Sequence, residues 1–125
     1  MITLNYAKKK ENIIIKKTED YSDRVIRLYQ YLIDIKKEKT MSKQILRSGT
    51  SIGANVAESR FAQSRLDFIS KLSIALKEAN ETSYWLNRIY NTNYINKVQY
   101  ESMNADIESI IKILVRIIKT SKGTE

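Results

Sequence analysis

No proline interrupts this chain, and only 3 glycines do, across 125 residues. Proline breaks helices and glycine loosens them, whereas turn-rich sandwiches and barrels need both. Long helices are therefore allowed, and the apolar residues recur as helices require. In a first segment Ile14, Thr18, Tyr21, Val25, Leu28, Leu32 and Ile35 follow one another at steps of four and three. Ile45, Gly49, Ile52 and Val56 mark one face of a second. Ile69, Leu72, Leu76, Ala79, Ser83, Leu86 and Tyr90 mark a third, and Met103, Ile107, Ile110, Leu114 and Ile117 a fourth. A repeat near 3.5 residues keeps one stripe against its neighbours when helices supercoil left-handedly. The expected fold is all-α: a left-handed four-helix bundle.

The connections are short, which makes successive helices antiparallel, up-down-up-down. Lys37 to Met41 links the first two helices, with Ser42 as N-cap of the second. Arg60 to Gln63 links the second and third, and Ser64 with Asp67 has the spacing of a capping box. Asn91-Thr92-Asn93 ends the third helix, because asparagine tolerates the left-handed cap conformation. Asn96 with Gln99 reads as the next N-cap. Residues 1–11, with Lys8-Lys9-Lys10, read as a flexible basic lead-in. The bundle spans 12–120, and 121–125 form a disordered tail.

Composition removes several chemistries. With no Cys and no His there is no disulfide framework, zinc finger, thiol nucleophile or serine–histidine dyad. No leading segment has the build of a secretory signal, and the mostly apolar window Ile110 to Ile118 is too short to cross a bilayer. A soluble, cytoplasmic, non-enzymatic domain without cofactor is expected. The net charge of +8 is uneven: residues 1–65 hold 14 basic against 7 acidic side chains, and residues 66–125 hold 8 against 7. A basic half joined to a neutral half suits an anionic partner such as nucleic acid.

Helical-wheel positions single out several residues. Trp85 lies about 140° from the centre of its stripe, and Ile26 and Ile33, with Tyr29 beside them, lie about 120–140° from theirs. Apolar side chains on an outer face suggest self-association, with one wide core as the alternative. The second helix is rich in small residues (Ser48, Gly49, Ser51, Gly53, Ala54, Ala57), as close approach by a neighbouring helix requires. A ligand approach at the glycines is the alternative reading, although no phosphate-loop spacing is present. Asn55 at the stripe's flank is placed to bond to a neighbouring helix.

The carboxylate pairs Asp20/Asp23 and Glu78/Glu81 have metal-ligand spacing on a helix. By the same wheel Glu78 and Glu81 point outward, and Glu101 is followed three positions on by Asn104, so solvated surface is expected and no metal. The basic residues Arg24, Arg27, Lys43, Arg47, Arg60 and Arg65 form a candidate phosphate-binding surface. Such a spread predicts salt-dependent binding of RNA or DNA with weak sequence preference.

The run from Ser42 through Ser48, Ser51, Gly53, Ala54 and Asn55 to Glu58 resembles the signature of the 23S rRNA intervening-sequence protein family, also called the S23 family. Phe68 to Leu86, with Lys71, Glu78 and Trp85, is similar to the family's second block. The resemblance implies an up-down-up-down bundle assembled as a ring-shaped homopentamer, with no enzymatic activity. Relatives in diversity-generating retroelements are basic rings that bind nucleic acid and associate with a reverse transcriptase. It therefore implies a nucleic-acid-binding accessory protein working as a homo-oligomer, with a protein-binding scaffold or adaptor ring as the alternative.

Overall fold

The structure, a computed structural model, describes residues 2–123, with side chains described from Asn12 onward. Four helices follow in order: α1 (Ile2–Asp34), α2 (Met41–Ser59), α3 (Arg65–Asn91) and α4 (Lys97–Lys122). No strand occurs among the described residues. Each helix packs on two others, α1 on α2, α2 on α3, α3 on α4 and α4 back on α1. Among the described residues no helix is long and apolar enough to cross a membrane.

The helix limits differ from expectation at both ends. Residues 2–11, read above as a lead-in, belong to α1, because nothing between Ile2 and Asn12 stops a helix from running backwards. At the other end α4 continues through Lys122 and stops at Gly123, which adopts a left-handed φ of 74°. Met1, Thr124 and Glu125 lie outside the described residues, as do the side chains of Lys8, Lys9 and Lys10.

The predicted stripes of α1, α2 and α4 are the core. Ile14, Thr18, Tyr21, Val25, Leu28 and Leu32 are buried, as are Ile45, Gly49, Ile52 and Val56, and Met103, Ile107, Ile110, Leu114 and Ile117. Ile35 falls past the end of α1 and is exposed. Tyr21 ties α1 to α4 by donating its phenol to the Met103 carbonyl at 3.1 Å. Burial holds that phenol protonated well above its usual range.

In α3 the buried set is Leu72, Ala75, Glu78, Ala79, Thr82, Leu86 and Ile89, while Ile69, Leu76, Ser83 and Tyr90 are half-buried at its flanks. A helix wedged between two neighbours buries an arc wider than one stripe. Thr82 faces α2, its hydroxyl 2.9 Å from that of Ser48. Glu78 joins this arc at 8% exposure, which corrects its outward assignment.

The turns follow local chemistry. The α3–α4 connection is a Schellman motif, with Tyr94 N–H bonded to the Ile89 carbonyl (3.1 Å), Asn93 N–H to Tyr90 (3.0 Å), and Asn93 at φ 70°. Asn96 and Gln99 make the expected reciprocal capping box at α4. Ser64 accepts from Asp67 N–H at 3.0 Å, but the Asp67 carboxylate accepts from Gln63 N–H rather than from Ser64. The expected Ser42 cap is a correction. Ser42 lies inside α2 and donates its hydroxyl to the Glu38 carbonyl, while the Glu38 carboxylate accepts from the N–H groups of Thr40, Met41 and Ser42 at 2.8–3.2 Å.

The small residues of α2 do admit a close neighbour. A β-carbon on Gly53 would lie 3.0 Å from Ser22 Oγ and 3.2 Å from the Thr18 carbonyl oxygen of α1. Asn55 does not cross to another helix; its amide donates to the Ser51 carbonyl one turn back, at 2.9 Å. That bond turns the amide back onto its own helix instead of across the groove.

Candidate nucleic-acid interface

The six candidate phosphate ligands divide into two kinds. Arg24 and Arg47 are engaged in ion pairs. Arg24 reaches from α1 to α4, with Nη1 2.7 Å from Asp106 Oδ2 and Nη2 3.0 Å from Ser102 Oγ. Arg47 forks from α2 onto α3, with Nη1 3.0 Å from Glu78 Oε2 and Nη2 bonded to Glu81. The same Glu81 oxygen accepts from Trp85 Nε1 at 3.1 Å. The Arg47 guanidinium holds the Glu81 carboxyl below the usual carboxylate range, helped by the Trp85 N–H and opposed by burial. Glu81 in turn raises Arg47.

Arg27, Lys43, Arg60 and Arg65 are exposed and have no carboxylate partner among the described residues. They do not form one patch. Arg27 joins Arg24, Tyr31 and Gln99 around a groove of about 310 Å³ floored by Leu28, Ile95 and Met103. Lys43 stands in the first turn of α2. Arg60 and Arg65 flank the α2–α3 turn, where a second groove of about 370 Å³ opens beside Asn12, Ser64 and Phe68. A guanidinium with no internal acceptor keeps its donors for phosphate oxygens, whereas one already forked on carboxylates does not.

The family-motif positions are chiefly packing positions. Ser48 and Thr82 pair in the interior, Ser51 donates to the Arg47 carbonyl at 2.7 Å, and Glu58 lies 3.8 Å from Lys71 Nζ. Ala54 is exposed. Among the candidate interface residues Ile26 is exposed, while Tyr29 and Ile33 are half-buried. Trp85 is also half-buried rather than outward: it packs on the core and meets Tyr84 edge-on at 5.0 Å. The α3 core arc reaches further round toward Trp85 than a single stripe predicts.

Asp20 of the first carboxylate pair is bonded to Lys16 at 2.9 Å. No group of three or more His, Cys, Asp or Glu residues stands together as a metal-ligand set among the described residues. Sequence reasoning missed Phe61 and Leu66, which are 81% and 79% exposed between and beside Arg60 and Arg65. The signal was available, since an aromatic in a connecting turn belongs to no helical stripe.

The sequence model of the 23S rRNA-intervening sequence protein family matches residues 10–116. A crystal structure of a protein of unknown function from the S23 ribosomal protein family of Bacteroides thetaiotaomicron VPI-5482 superposes with a TM-score of 0.87. It shares 55% identity, over 88% of this chain and 98% of that one. No curated protein matches. With the family pattern spanning all four helices and a solved member sharing their arrangement, this chain belongs to the 23S rRNA-intervening sequence protein family.

Proposed function

We propose that this chain is a non-catalytic, phosphate-directed nucleic-acid-binding accessory protein that works in the cytoplasm as a ring of identical copies. The observation that carries the reading is that four of the six candidate cations, Arg27, Lys43, Arg60 and Arg65, are exposed with no carboxylate partner among the described residues, on a chain of net charge +8. Charges of this kind hold phosphates, read no bases, and release counter-ions on binding. The family's description, which refers to 23S rRNA, makes structured RNA the first target to try.

Contact register supports an up-down-up-down course. Arg47 meets Glu78 and Glu81 while Glu58 meets Lys71, and Gly49 faces Val25 while Gly53 faces Ser22 and Thr18. For the ring, Ile26, Tyr29 and Ile33 sit on α1 and Trp85 on α3, two helices that do not pack on each other. A head-to-tail contact between one copy's α1 and the next copy's α3 is the kind that closes rings.

Binding to an rRNA hairpin and to a DNA duplex of equal length, across a salt series, tests the reading. Both should bind with steep salt dependence, and replacing Arg27, Lys43, Arg60 and Arg65 by Gln should flatten the slope by roughly one per lost phosphate contact. No binding to either at low salt would sink it. The exposed Ile26 and Tyr84 favour a second reading, an adaptor ring for another protein. A stoichiometric protein partner that survives nuclease treatment would support that reading.

A further inference from the structure

An 81%-exposed phenylalanine on a slack loop would mean little, but the turn that carries Phe61 is tied down. The N–H groups of Arg60, Phe61 and Ala62 donate to the carbonyls of Ala57, Glu58 and Ser59 at 3.0–3.3 Å. Beyond it, the bond from Asp67 N–H to Ser64 Oγ and that from Gln63 N–H to the Asp67 carboxylate fix the entry to α3. The ring is therefore held in water by ordered backbone, with Leu66 exposed a few residues on.

The surroundings select a partner. Arg60 and Arg65 flank the ring and have no carboxylate partner among the described residues. The nearby carboxylates are occupied, Glu58 by Lys71 at 3.8 Å and Asp67 by its capping bond. The groove of about 370 Å³ beneath the turn has half-buried apolar walls, Ile15 and Phe68, and polar groups at its rim. Asn12 offers an amide donor and acceptor, Ser64 a hydroxyl and Arg60 a guanidinium fork. Apolar walls, one of them aromatic, with polar groups that both donate and accept suit the face and edge of a nucleobase, and the cations beside them suit its phosphates.

We infer that the α2–α3 turn is a binding site for single-stranded nucleic acid. One unpaired base stacks on Phe61, a neighbouring base enters the groove between Ile15 and Phe68 with its edge on Asn12 and Ser64, and the linking phosphates meet Arg60 and Arg65. In a duplex the base faces are covered by stacking, so only an unpaired strand can use the ring. The inference rests on the nucleic-acid reading above and adds to it a place and a strand state.

The test compares the full chain with Phe61→Ala and Asn12→Ala, using an unstructured oligonucleotide and a blunt duplex of equal length, by fluorescence anisotropy at fixed salt. Phe61 is exposed, so its replacement leaves the fold intact, checked by circular dichroism and light scattering. Phe61→Ala should weaken single-strand binding roughly tenfold and leave duplex binding within about twofold. Asn12→Ala should lower single-strand affinity by a smaller factor. Equal affinities for the two ligands, unchanged in both variants, would overturn the site while leaving the phosphate-directed reading standing. Absence of binding by the unaltered chain to either ligand at low salt would overturn both. Loss of the oligomer in Phe61→Ala with single-strand binding intact would make the ring a contact between copies and overturn the site.

Discussion

A β-carbon added to Gly49 would stand 2.7 Å from Val25 Cγ1 and 2.8 Å from Cγ2. Val25 is fully buried and β-branched, so it has no rotamer in which to step aside. Gly49→Ala should therefore destabilise the bundle by about 1–2 kcal/mol in urea unfolding, overpacking outweighing alanine's better helix propensity. Adding Val25→Ala should cost less in that background than in the unaltered chain, the sign of a shared contact. At Gly53 the nearest side chain is the rotatable Ser22 hydroxyl at 3.0 Å, so Gly53→Ala should cost less than Gly49→Ala.

Arg47→Met should lower stability by about 1–2 kcal/mol, since it leaves the buried Glu78 carboxylate without its guanidinium. Glu81 gives the same fork a pH signature. Its folded-state pKa is depressed, so folding binds fewer protons than the unfolded chain and the fork's stabilisation is complete above the ordinary value of 4.5. It is lost as the pH falls through that value and below. Thermal unfolding of Glu81→Gln over that range should show a shallower acid slope than the unaltered chain.

Glu38→Ala should cost about 1 kcal/mol by stripping the acceptor from three N–H groups at the start of α2. Glu38→Gln, which keeps one acceptor oxygen but no charge at the positive helix end, should fall between the two. Amide hydrogen exchange at Met41 and Ser42 is the local readout, and unchanged protection in Glu38→Ala would refute the cap.

Arg24 and Arg27 sit one turn apart on α1 yet should respond oppositely to substitution. Arg24→Met breaks the bridge to Asp106 and Ser102 and should lower the melting temperature. Arg27→Met should leave the melting temperature unchanged and weaken nucleic-acid binding. The reverse pattern would show that the exposed arginines are not the phosphate ligands.

What could be read from the sequence was local. The Asn96/Gln99 box and the asparagine-rich end of α3 act within a few residues, and so were visible as spacing. The stripes of α1, α2 and α4 were visible because each of those helices buries residues at the expected steps. In α3 the choices between Ala75 and Leu76, Thr82 and Ser83, or Ile89 and Tyr90 depend on which neighbour comes closer, and no pattern within one helix records that. Glu78 illustrates the limit. Its burial requires a cation from α2, 31 positions earlier, so its own surroundings in sequence mark it as surface. Arg24 and Arg47 were offered as phosphate ligands for the same reason, because their acceptors lie 82 and 31 positions away.

The closed order of packing, in which α1 meets α2, α2 meets α3 and α3 meets α4 across connections of five or six residues, bears on how the chain reaches this state. Three of the four interfaces form by closing short loops, at little entropic cost, and only the α1–α4 seam waits for distant segments. Folding should accordingly be fast for a chain of this length. The Tyr21–Met103 and Arg24–Asp106 bonds, which lie on that seam, would be the last to form and the first to part when the bundle opens.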